Sequence, residues 1–473
     1  MSVSNSKYNW KAFELLLKKV VFKGGYTLPI ETCDIIMEFL RCKVCFIGKP
    51  NYKWYKKAAE MNKISVIKSI PSWGYEIERV DELLFIACAS ETHNNINLIK
   101  YLVEEKGANI NYMKHIGVLP SWDTLYTCLE LACINGNLDI VKYLVEHGAY
   151  INGDGGAPLR YVCESGNVDM VKYLVDKGSD INAENNHCDT ALHCACKKNN
   201  LDVVKYLVEQ GVNMEPKGTD LFGCRVKTSL HIACEDGYFD IVKYLVKHGA
   251  NMEARDDNNK TPLHLACDYG DYYIKSYTEE EKFDIVKYLV KHGANMEARD
   301  NDNKTPLHVV CEDGNLDEEK KLVVVKYLVK HGANMEARDN DNKTPLHIVC
   351  CKEYEESVIL DIVKCLVEHG ANMEAKDNED NTPLHLACEY GDLDVVKYLV
   401  EQGSDMEAKD NDNKTPLHIV CKYGDLDAVK YLVEQGANIE AKDNGDNTPV
   451  DIASLNKDED EKVTEYFQEI GAC

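Results

Sequence analysis

One phrase recurs along this chain and fixes most of what it can fold into. A threonine opens the phrase at Thr190, Thr228, Thr261, Thr305, Thr344, Thr382, Thr415 and Thr448, and successive subtraction gives intervals of 38, 33, 44, 39, 38, 33 and 33. A unit of 33 residues carrying insertions accounts for every interval. Upstream, Ala157, Thr127 and Glu82 stand at the same place, and Lys53 opens a degenerate copy. The chain therefore divides into a non-repeating segment 1–52, an array over 53–447 and an end unit over 448–473, with about twelve units in all. A length of 473 residues would otherwise suggest three globular domains, and the period argues against them.

Within the unit from Asn381 to Asp410, Thr382 is placed to cap a helix and Pro383 suits its first position, where a missing N–H costs little. Gly391 and Asp392 end that helix. A second is expected over Leu393 to Gln402, with Val396, Leu399 and Val400 on one face and Gly403 as the left-handed residue after its last turn. Asp410, Asn411, Asp412 and Asn413 then favour a turn or hairpin tip. Two short helices cannot bury an apolar face alone; stacked copies can, which makes the fold class an all-α solenoid.

The phrases Thr-Pro-Leu-His-x-Ala-Cys and Asp-x-Val-Lys-Tyr-Leu-Val-x-x-Gly-Ala-Asn resemble the ankyrin repeat. Full Thr-Pro-Leu-His copies open at Thr261, Thr305, Thr344, Thr382 and Thr415. The resemblance implies helix-turn-helix units with β-hairpin fingers, a groove lined by the first helices, and a non-enzymatic scaffold that binds protein partners.

Ten of the twenty cysteines, Cys88, Cys133, Cys163, Cys196, Cys234, Cys267, Cys311, Cys350, Cys388 and Cys421, occupy one repeat position. Neighbouring stacked helices lie roughly 8 to 10 Å apart, beyond the ~7 Å Cα limit of a disulfide, so these are small buried hydrophobes. Cys42 and Cys45 form a Cys-x-x-Cys pair without a second pair at zinc-ribbon spacing, and no metal or cofactor is expected. The recurrent His193, His231, His264, His308, His347, His385 and His418 have seven equivalent settings, whereas catalysis needs one particular partner. The resemblance implies that they bond the threonine and nearby backbone. His147, His248, His292, His331 and His369 precede a helix-ending glycine and suit the negative end of the helix dipole.

A formal charge of −26 disfavours nucleic acid and anionic membrane as partners. Without a long apolar run or a signal-peptide core, the expectation is a soluble, monomeric, intracellular protein, cytoplasmic or nuclear. No phosphate-binding, nucleophile-elbow or zinc-protease motif is present in the sequence, in keeping with a non-enzyme.

Recognition is expected where units depart from the common pattern. Insertions at Asp271 to Glu281, Asn315 to Lys321 and Lys352 to Ser357 fall between the helices of three consecutive units. They are tolerated surface insertions or, with Tyr272 and Tyr273 among acids, a ridge for a partner with a basic surface. Two enlarged fingers carry Trp122 and Tyr126, and Phe222 and Arg225, residue types favoured as interface anchors. The residues after the repeat cysteine vary, and the resemblance places Asp236, Tyr269, Tyr390 and Tyr423 in the groove.

Segment 1–52 reads as helical, either a cap for the first unit or a partner-docking element. Leu28, Pro29 and Glu31, followed by Ile35, Ile36, Phe39 and Leu40, resemble the opening of an F-box. That resemblance implies docking to subunits of a cullin-type ubiquitin ligase, with the repeats choosing the substrate.

Overall fold

A computed structural model of the protein describes residues 56, 59–60, 64–69, 77, 79–90, 95–115, 125–215, 227–269, 279–312, 318–351, 356–390, 392–455 and 461–471. These belong to two compact units, one within Met1–Val162 and Lys172–Ser179, the other within Cys163–Val171 and Asp180–Cys473. The F-box-like residues Leu28, Pro29, Glu31, Ile35, Ile36, Phe39 and Leu40 lie outside the described residues, as does the pair Cys42 and Cys45.

In both units helices come in pairs, and the helices of consecutive repeats pack side by side. The fold is the all-α repeat solenoid expected. In the repeat opened by Thr382, the first helix spans Pro383–Tyr390 and buries Leu384, His385, Leu386, Ala387 and Cys388. Asp392 caps the second helix, Leu393–Glu401, by accepting the Val395 amide at 3.0 Å. Its buried face is Val395, Val396 and Leu399; Val400, expected on that face, is half-buried. Gly403 follows at φ 96°, a left-handed conformation that a side chain would strain.

The threonine makes more than a simple cap. In each of the repeats opened by Thr190, Thr228, Thr261, Thr344 and Thr415 it forms a reciprocal capping box with the histidine three residues on. His264 Nδ1 stands 3.1 Å from the Thr261 amide and 2.8 Å from its hydroxyl. The opposite ring nitrogen, Nε2, reaches the next repeat at the carbonyl of Lys304, 3.1 Å away. Burial pushes the pKa of His193, His231, His264, His308 and His347 down to about 4, so these rings are neutral; the last four link one repeat to the next, whereas His193 Nε2 has no hydrogen-bond partner among the described residues. Glu130 and Asp451 take the histidine's place beside Thr127 and Thr448 and keep the box. A carboxylate has no proton to offer a second carbonyl, so the imidazole alone supplies both bonds.

The second set of histidines also has a fixed role. His147, His248, His292, His331 and His369 each place Nδ1 within 2.7 to 2.8 Å of the carbonyl four residues back, at the end of the second helix. The phrase Lys-Tyr-Leu-Val joins second helices: Tyr244, Tyr288, Tyr327 and Tyr431 donate their hydroxyls to the carbonyls of Lys205, Lys243, Lys287 and Lys397. The repeat cysteines are buried and no disulfide joins the described ones; burial raises the pKa of Cys133, Cys234, Cys388 and Cys421, which leaves these thiols unreactive.

Fingers in the second unit are turns tied tip to tip. Asp256 closes one by accepting the Lys260 amide through Oδ1 at 2.7 Å, with Asn259 left-handed at φ 59°. The amides of Asn301, Asn340, Asn378, Asn411 and Asn444 donate to backbone carbonyls of the preceding finger, and their side-chain amides do the same. Arg255, Arg299 and Arg338 run parallel to this ladder, each guanidinium bridging its own turn to the backbone of the following finger. Among the described residues a strand ladder occurs in one finger only, in the first unit, where Met113–His115 pairs antiparallel with Leu125–Thr127.

In the helix Glu461–Glu469, Val463 and Phe467 are buried and Glu465 and Glu469 are exposed.

Candidate interaction surface

The position directly after the repeat cysteine forms a column of Glu235, Asp268, Glu312, Cys351, Glu389, Lys422 and Leu455 in successive repeats of the second unit. Three of its acids are already engaged. Lys227, Lys260 and Lys304, each immediately before a cap threonine, bond Glu235, Asp268 and Glu312 at 2.6, 3.0 and 2.6 Å. One repeat earlier the signs are exchanged, with Lys197 2.7 Å from Asp189. Asp236 is half-buried and serves as the helix C-cap, its amide bonded to the Ile232 carbonyl.

Beyond Thr344 the surface opens. One position after the column, Tyr390 and Tyr423 are 40% and 45% exposed, and in the column itself Leu455, at the end of the helix Pro449–Leu455, is 75% exposed. Tyr423 donates its hydroxyl to Glu389 at 2.7 Å, while the Lys422 ammonium lies 4.7 Å from the centroid of the same ring. The three helices that carry these side chains are neighbours, so they form one apolar strip with charge at its margin.

Tyr269, expected in this face, is instead buried at 3% exposure. The Lys282 ammonium covers its ring, 5.2 Å from the centroid. Lys282 is itself fully buried and donates to the carbonyls of Leu265, at 2.9 Å, and Asp268. This explains part of the insertions. The second helices Glu279–Lys291, Glu318–Lys330 and Glu356–Glu368 are each 13 residues long, against nine for Leu393–Glu401. The extra turn buries its fourth residue, Lys282, Lys321 or Ile359. Tyr272 and Tyr273 lie outside the described residues.

In the first unit, the hairpin exposes Met113, His115 and Leu125, with Tyr150 of the following finger 68% exposed. Tyr126 is half-buried and stacks on Tyr161 with ring centroids 6.2 Å apart; Lys114 ties the hairpin to Glu82 at 2.6 Å. Trp122, Phe222 and Arg225 are outside the described residues. A cleft of about 410 Å³ in the second unit is lined by Lys197, Lys198, Tyr238, Phe239 and Asp240, but both lysines are paired, with Asp189 and Glu164. Among the described residues no three histidines, cysteines or acids are grouped to hold a metal, and no helix is long and apolar enough to cross a membrane.

A family profile described as ankyrin repeats (3 copies) matches residues 57–154, 129–218, 214–277, 275–360 and 319–410. A second, ankyrin repeats (many copies), matches 399–453. The chain is an ankyrin-repeat protein. No curated protein matches it. Ankyrin repeats mark a protein-interaction module, and proteins built from them are generally scaffolds rather than enzymes.

The column of ion pairs was accessible in the sequence of this ankyrin-repeat protein as lysine and acid eight residues apart in three repeats. What the sequence concealed is that the pairing removes those acids from recognition.

Proposed function

We propose that this ankyrin-repeat protein is a non-enzymatic scaffold that binds a protein partner along the first-helix face from Thr344 to Leu455. The carrying observation is the change at the C-terminal end of the first helix: acids neutralised by their own lysines at Glu235, Asp268 and Glu312 give way, in the later repeats, to exposed Tyr390 and Tyr423, one position further on, and to Leu455. Tyrosine is a residue type enriched at interface hot spots, since it covers much area with little side-chain freedom to lose. A partner with a basic surface would find the three groove acids occupied, so its charge would act through the outer surface of this −26 chain as long-range steering. Buried unreactive thiols suit a reducing cytoplasmic or nuclear setting.

Affinity capture with the intact chain tests this. Tyr390→Ala with Tyr423→Ala should lose the principal partner by ~10-fold or more, whereas Glu235→Gln should retain it. Capture unchanged by the double tyrosine variant overturns the placement.

A further inference from the structure

The series of lysine–acid pairs is interrupted, and at Lys343 it leaves a vacancy. In the repeat opened by Thr344 the lysine is present as Lys343, but the position eight residues on is Cys351 instead of an acid. Lys343 is half-buried, and among the described residues its ammonium makes no ion pair or hydrogen bond. Lys414, two repeats later, faces the same loss because Lys422 stands in the acid's place, and it turns to Asp412 at 2.7 Å. Among the described residues Lys343 has no such substitute. Asp377, the nearby buried acid, already holds the amides of Glu379 and Asn381 through its Oδ1. Burial works against the Lys343 charge, yet Cys351, Asp377, Asp341 and Tyr390 outweigh it, so its pKa lies above the usual lysine value and the ammonium stays protonated.

The vacancy adjoins the apolar strip. Lys343 and Tyr390 are close enough to act on each other electrostatically, and the helices Pro345–Cys350 and Pro383–Tyr390 pack together. Lys422 adds a second positive charge at this end of the column, beside Glu389, whose carboxylate accepts from the Tyr423 hydroxyl. In the sibling repeats the missing group is a carboxylate 2.6 to 3.0 Å from the ammonium.

We propose that Lys343 anchors an aspartate or glutamate side chain of the protein partner, and that apolar residues next to that acid in the partner lie across Tyr390, Tyr423 and Leu455. The inference rests on the interaction reading above and names the chemistry its partner presents. Repeats stack at roughly 8 to 10 Å, so a partner segment crossing from Lys343 to Leu455 covers about 30 Å, on the order of nine extended residues.

The test uses a random dodecapeptide display library selected on the intact protein, with binding of recovered peptides then measured on two variants. Cys351→Glu fills the vacancy from within; Lys343→Met removes the anchor. Recovered peptides are expected to share an acid next to apolar residues and to lose ~10-fold or more in affinity on both variants, while Cys351→Glu leaves the melting temperature unchanged or higher. Peptides without a common acid, or peptides that bind Cys351→Glu as well as the parent, overturn the Lys343 subsite and leave the scaffold reading standing. Failure to select any peptide contradicts the scaffold reading itself.

Discussion

His264 ties its own threonine to the next repeat, with Nδ1 accepting at Thr261 and Nε2 3.1 Å from the carbonyl of Lys304. His231, His308, His347, His385 and His418 make the same cross-repeat contact at 3.1 to 3.2 Å. A proton added at Nδ1 would point a donor at the threonine amide, and burial already disfavours the charge.

Stability should therefore fall with acid. Four of these histidines, His231, His264, His308 and His347, have a folded pKa of about 4, against about 6.5 unfolded, so the unfolded chain binds more protons between those values. Their contribution is complete above pH 6.5 and is lost as pH falls toward 4, by roughly 3 kcal/mol per histidine at the limit. Asp256, Asp300 and Asp339, whose pKa values are raised by burial, act in the opposite sense at the lower, carboxylate end of the range. Urea midpoints between pH 7.5 and 4.5 should decline steadily; a flat profile would contradict the buried neutral assignment.

Lys282→Met should destabilise the second unit by about 1–3 kcal/mol. The substitution keeps an unbranched side chain, one atom shorter, but leaves the carbonyls of Leu265 and Asp268 without their ammonium donor. The short first helix Pro262–Cys267 ends in an extended Asp268, so neither carbonyl has the next turn of that helix to turn to. Chemical denaturation measures the loss, and a stability equal to the parent would show that the buried ammonium contributes no net stabilisation.

Arg299→Ala should loosen the fingers without unfolding the helices. It removes bonds to the carbonyls of Asn303, at 2.7 Å, and Arg338, at 2.6 Å, for about 1–2 kcal/mol at this half-exposed site. Hydrogen exchange should quicken at the Asn301 and Asn340 amides, which hold the finger ladder, and stay slow in Pro306–Glu312. Quickening throughout that helix would mean the finger and helix are a single cooperative element.

The repeat, its caps and its two helices were legible because each depends on neighbours in sequence: Thr382 with Pro383, or Gly403 after Leu399. Tyr269 was misplaced on the surface because its cover, Lys282, comes from an inserted turn that the common unit lacks. The groove acids illustrate the same limit. Glu312 looks available until Lys304, eight residues away, is folded against it at 2.6 Å. A pattern of residue types places a position on a helix face, whereas its availability depends on which side chain from another turn reaches it first.

The most direct test of the account is hydrogen exchange on the intact protein with and without its captured partner. Protection should concentrate in Pro383–Tyr390, Pro416–Tyr423 and Pro449–Leu455, with little change at Ser229–Glu235. Protection confined to the hairpin of Met113–His115 and Leu125–Thr127, with those three helices unchanged, would contradict it.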